Sequence, residues 1–262
     1  MKGARVMSIC LAKCLSDECK AVLIKTIQDA IDGRNVVLAD YPTKNAKANL
    51  FWDELNKKIM ETLRRNFGMT DCKPFVTNRG CWKFVLVYAN GIIFSIMREQ
   101  RFEELKKELG KNSKSQHYAV NLAKILNLEV PNAQGRLFFV ADDEEHKRAD
   151  DITSKLLRNL DVDSDCIDGY VIVLIDADDT QLYSARMVLV NAALEVCDEY
   201  DLKDYIQIKE PVIVESAREY SNGKPDDPSK GLKLTGKAEA RKARKQGLLK
   251  QRGASEVSEN IK

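Results

Sequence analysis

Hydrophobic positions along this chain change period several times, and the changes mark out its elements. From Ser16 to about Asp32 apolar residues recur at helical spacing, with Val22, Leu23, Ile27, Ala30 and Ile31 on one face and Glu18, Lys20, Lys25 and Asp29 on the other. The pattern predicts a helix with Ser16 as its N-cap and Gly33 as its stop signal. In the connection Asp40-Tyr41-Pro42-Thr43-Lys44-Asn45, the proline biases Tyr41 toward an extended backbone. Leu50, Phe51, Leu55, Ile59 and Leu63 then restore the helical period, so a second helix runs from about Ala46 to Asn66 and ends at Gly68. Two such helices suit a layer laid over a sheet.

The sheet announces itself between Phe75 and Phe102, where two apolar runs are joined by Asn90-Gly91, a pair fitted to the two positive-φ positions of a type I′ turn. If Ala89 opposes Ile92, then Tyr88 faces Ile93, Val87 faces Phe94, Leu86 faces Ser95 and Val85 faces Ile96. Both faces of this hairpin are apolar, which predicts a central place in the sheet with cover on both sides. Carried onward, the register sets Lys83 opposite Arg98, a like-charge pair that requires solvent or an anion at that end.

Further along, Phe102 to about Gly110 reads as a charged helix, residues 111–116 as a polar loop, and His117 to Leu126 as a helix with Val120, Ala123 and Leu126 inward. Arg136 to Ala141 is a short apolar run, Asp142-Asp143 suits the cap of a helix from about Glu144 to Leu160, and Gly169 to Ile175 is a second strong strand. Strand, helix and strand in this order fit a parallel crossover unit. From Thr180 the pattern forks between a return strand ending at Val190, favoured by the β-branched run Met187-Val188-Leu189-Val190, and a helix reaching Val196. Val212 to Val214 offers an edge strand. The elements define an α+β fold: a mixed, largely antiparallel sheet with a central hairpin and helices packed on it.

Charge divides the chain in a way the pattern alone does not. The whole carries +2, yet residues 221–262 hold 11 basic and 5 acidic side chains, leaving −4 on residues 1–220. A linker at Asn222 to Pro228 precedes this basic stretch, which lacks apolar periodicity. The organisation expected is an N-terminal segment 1–14, one domain over 15–216, and a mobile basic tail over 217–262. So small a net charge rules out a global field for nucleic acid or anionic membrane. Lys13 cuts short the apolar N-terminal run, and nothing approaches a membrane span, so no membrane partner is expected and the cytoplasm is the expected location. Seven cysteines without a paired spacing fit reduced thiols there.

Few residues carry recognisable chemistry. The acidic loop Asp161 to Gly169 has Cys166 where a calcium loop needs glycine and Ile172 where it needs glutamate. His117 and His146 are the only histidines, one at a helix start and one on a charged helix, and neither has a placed partner. No glycine-rich phosphate loop is present, no catalytic residue is assigned and no cofactor is expected. Asp176 and Asp178, at the end of a buried strand, form the alternative reading, a magnesium site of a nuclease or phosphotransferase, if Asp142-Asp143 or Lys209-Glu210 joins them.

The basic corner is the stronger candidate. Arg79, Lys83, Arg98 and Arg101 gather at the open end of the hairpin beside Trp82, with Lys44 approaching from the helix layer. Arginines beside an aromatic suit phosphate contact with base stacking, and Glu99, Glu103 and Glu104 are the competing partners that would neutralise them. The expectation is a non-enzymatic nucleic-acid or phosphate-binding module, with a protein-binding inhibitor as a further alternative.

Through Asn78-Arg79-Gly80-Cys81-Trp82-Lys83 and Met97-Arg98-Glu99-Gln100-Arg101-Phe102, with Tyr41 to Asn45 upstream and His117-Tyr118 downstream, the chain resembles a family of bacterial and phage proteins of unknown function, over residues 15–215. The resemblance implies a microbial setting and a mobile-element or phage-conflict role. It brings no catalytic assignment.

Overall fold

Among the described residues six strands form a single sheet in sequence order. They are β1 (Lys73–Arg79), β2 (Trp82–Ala89), β3 (Ile92–Arg98), β4 (Gly169–Ala177), β5 (Leu182–Val190) and β6 (Val196–Asp201). The structure, a computed structural model, describes residues 9–39, 47–68, 72–111, 117–131 and 143–207. The helices are α1 (Leu11–Cys14), α2 (Asp17–Ala39), α3 (Lys47–Phe67), α4 (Glu99–Lys111), α5 (Tyr118–Leu126) and α6 (Asp143–Leu157). Every strand pair is antiparallel except β3 with β4, so the α+β class and the mixed sheet are as expected. The expected strand over 136–141, the edge strand over 212–214, Lys44, the Lys209-Glu210 pair and the tail lie outside the described residues.

Alternation along the strands explains why both faces are apolar. Val85, Val87, Phe94, Val171, Val173 and Met187 point into a core closed by α1, α2 and α3, while Leu86, Ile93, Met97, Tyr170, Ile172 and Val188 point into a second core closed by α4, α5 and α6. Buried polar groups tie the layers together. Asn127, just past α5, donates to the carbonyls of Tyr170 and Val190 at 2.7 Å each and accepts the Tyr170 N–H at 2.8 Å, so one amide closes three backbone groups of β4 and β5.

Several expectations are corrected. The helix capped by Ser16, whose Oγ accepts the Cys19 N–H at 3.1 Å, does not stop at Gly33 but continues to Ala39. Gly33 is there a packing residue, since a Cβ would come within 3.1 Å of Lys58 Cε on α3. β1 is a strand of its own, turned into β2 at Gly80 (φ 57°) with Arg79 opposite Trp82. The α4 helix begins at Glu99, directly after β3. The fork after Thr180 resolves as strand: β5 pairs with β4 from Leu182 to Leu189. The parallel partner of β4 is β3.

The most consequential correction concerns the hairpin register. Ala89, Tyr88 and Val87 oppose Ile92, Ile93 and Phe94 as expected, and there the ladder ends. β2 keeps its outer pairing with β1 out to Trp82, and β3 keeps its pairing with β4 out to Arg98, so each strand stays extended while the two part company. Two reasons are physical. Continuing the ladder would set Lys83 against Arg98, and the Val85 N–H already has a partner in the Asn56 Oδ1 of α3 at 3.0 Å.

Candidate functional site: a cationic cleft inside the sheet

The parting of β2 from β3 opens a cavity of about 750 Å³. Its walls are strand residues Phe84, Val85, Ile96 and Met97, closed on one side by Trp52, Leu55, Asn56 and Ile59 of α3 and on the other by α4 and the start of α5. Arg79, Trp82, Lys83, Arg98 and Arg101 all line it. Five of the six residues singled out for the basic corner thus share one cleft, although Lys83 and Arg98 are not ladder partners; the sixth, Lys44, lies outside the described residues.

The acids near these cations are unevenly committed. Arg101 is bonded to Glu104 at 3.1 Å and Glu108 at 2.9 Å; burial works against its charge, but these bonds outweigh it and hold its pKa above the ordinary value. Glu99 turns to Arg186 instead, and Glu103 to Lys106. Among the described residues neither Lys83 nor Arg98 makes a side-chain hydrogen bond or ion pair. Arg98 lies 5.1 Å from the centre of the Phe51 ring, which Arg34 also approaches at 5.7 Å. Burial and then the Arg34 charge lower the Arg98 pKa, with Asp176 opposing them, so an incoming anion would relieve an existing cost. Trp82 stands 65% exposed at the rim.

Deeper in, His117, Tyr118 and Phe84 form a run of rings, each centroid 4.5 Å from the next. His117 caps α5: its Nδ1 accepts the Ala119 N–H at 3.2 Å, so in the neutral ring Nε2 carries the proton. Burial, then the charges of Arg101 and Arg79, push its pKa down to about 4. Burial raises the Tyr118 phenol to about 12, with Ser95 pulling the other way; the Ser95 Oγ is 2.6 Å from the Tyr170 hydroxyl. Sequence reasoning did not single out Asn56, Trp52 or Tyr118 as site residues. The available signal for Asn56 was a polar residue beside Leu55 on the inward stripe of α3.

Asp176 and Asp178 do not line the cleft, although Asp176 is close enough to act on the Arg98 charge. Asp176 is exposed near the end of β4, and Asp178 caps the β4–β5 turn. The Asp178 carboxylate accepts from the Tyr183 hydroxyl, the Thr180 N–H and hydroxyl and the Gln181 N–H, and these bonds hold it far below the usual carboxylate range. Among the described residues no group of three His, Cys, Asp or Glu side chains is placed to hold a metal ion, and no helix is long and apolar enough to cross a membrane.

Fold and cleft together define an α+β protein with a cation-lined cavity set within its central sheet. The chain belongs to the family of unknown function DUF5986, which matches residues 13–251 and so takes in the whole span of the sequence resemblance. No curated protein and no solved structure matches it.

Proposed function

We propose that this protein is a non-enzymatic binding module for phosphate-bearing ligands, nucleic acid foremost, and that the cleft between β2 and β3 is where it binds. The observation that carries the reading is the pair Lys83 and Arg98, which line one cavity beside an exposed tryptophan and make no ion pair or side-chain hydrogen bond with a carboxylate among the described residues. A phosphate there gains charge-assisted hydrogen bonds, and Trp82 offers a surface for a base. The metal-dependent alternative has less support, because Asp178 is occupied in closing its turn. A bacterial or phage-conflict setting is part of the proposal on the resemblance alone.

The test is retention on immobilised single-stranded DNA at low salt. The double variant Lys83→Ala/Arg98→Ala should bind more than tenfold more weakly, since each charged hydrogen bond removed is worth about 1.5 kcal/mol or more, while its circular dichroism and melting stay those of a folded domain. Unchanged retention would reject the reading.

A further inference from the structure

Resting on that reading, we infer that the ligand is a nucleotide whose base enters the split between β2 and β3, with its phosphate held at the rim by Lys83 and Arg98. The cleft has two chemistries. Its rim is cationic, and its interior is a slot walled by Val85 and Ile96 on the parting strands and by the Phe84 and Tyr118 rings. A phosphate alone, or the backbone of a duplex, would use only the rim and leave about 750 Å³ of partly apolar cavity without a function. That volume falls within the ~300–1,000 Å³ of ordinary small-ligand sites. A ligand that satisfies both parts has an anionic head on a flat body whose edge carries donors and acceptors. Among the described residues β3 has no ladder partner on this side beyond Phe94, so backbone groups border the slot, as does the Asn56 amide. A base unstacked from a single strand and a free mononucleotide share this chemistry.

The molecule carries its own reporter, because its two tryptophans, Trp52 and Trp82, both line the cleft. Intrinsic fluorescence of the full chain, excited at the red edge of tryptophan absorption, would be titrated with uridine monophosphate, adenosine monophosphate, a short oligothymidylate, inorganic phosphate and polyglutamate. Trp52→Phe and Trp82→Phe assign the signal. We expect at least one nucleotide-bearing probe to quench, inorganic phosphate at the same concentration not to, and Arg98→Ala to weaken the effect tenfold or more. Ile96→Phe, which narrows the slot, should abolish the quenching; if that variant does not fold, the competition between nucleotide and phosphate on the native chain decides. Quenching by the oligonucleotide alone identifies a strand as the source, and by the mononucleotides alone a free nucleotide. Three results overturn insertion while leaving the binding module standing: phosphate displacing nucleotide with equal affinity, DNA retained with both tryptophans silent, or polyglutamate quenching as well as nucleotide. Neither quenching nor retention removes both.

Discussion

At the scale of single residues, His117 makes the cleft answerable to pH. Its imidazole, ordinarily titrating near 6.5, is held near 4 by burial and by Arg101 and Arg79. The unfolded chain takes up the proton as pH falls through 6.5, whereas the folded chain refuses it until about 4, so acid favours unfolding. The contribution is fully present above pH 6.5 and is lost progressively down to pH 4. At 1.36 kcal/mol per pH unit this amounts to about 3 kcal/mol. Urea denaturation at several pH values, on the native chain and on His117→Gln, should show the native chain losing that much more stability over the window; parallel pH profiles would contradict it. Which residues were legible follows from where they sit. Arg79, Lys83, Arg98 and Arg101 flank apolar strands, and charges at strand ends stand out in a linear pattern. Burial of His117 depends on an arginine-lined cleft that no local pattern displays, and Asn56 becomes a site residue because an amide of β2 has no ladder partner on that side among the described residues.

Elements show the same division between local signals and tertiary ones. Gly68, Gly80 and Gly91, with φ of 63°, 57° and 80°, occupy the left-handed conformation that a turn or helix end requires, and two of them were readable as such. Gly33 looked the same in the sequence and is not, because α2 runs through it against α3. A Cβ at Gly33 would press only on Lys58 Cε at 3.1 Å and Glu54 Oε2 at 3.4 Å, the far ends of flexible side chains. Gly33→Ala is therefore expected to raise stability by about 0.5–1 kcal/mol by removing the glycine's entropic cost, read as a higher melting temperature; a lower one would mean that the α2–α3 packing cannot yield. The hairpin register was legible next to its turn, where Asn90-Gly91 fixes it, and not further out, where α3 intervenes. β1 was hidden for a related reason, since its turn at Gly80-Cys81 lacks the Asn-Gly signature.

For the whole molecule, the two apolar faces of β2, β3 and β4 were enough to give the class of fold, because only a sheet covered on both sides buries them. Strand order was not, since adjacency is set by side chains meeting across the sheet rather than along the chain. Charge works at this scale too. With −4 on residues 1–220 and +6 on 221–262, nucleic-acid retention should have two separable parts. Ending the chain at Tyr220 is expected to shorten retention and to flatten its salt dependence, by about 0.7 in log–log slope for each phosphate of a single strand that the tail neutralises. Nucleotide quenching of the tryptophans should stay unchanged. A nucleotide titration that weakens with the deletion would show that the two parts are not separate.

The sheet's division has a consequence for how such a protein changes over generations. Each half keeps its own complete ladder, β1 with β2 and β3 with β4, and the halves meet only across Val87 to Ala89 and Ile92 to Phe94. Side chains bordering the opening can be exchanged for larger or smaller ones without severing any inter-strand bond. Selectivity for a ligand is thereby free to drift while the scaffold is conserved, and variation among descendants should concentrate at positions such as Phe84 and Ile96 rather than at Asn56 or in the ladders beside them.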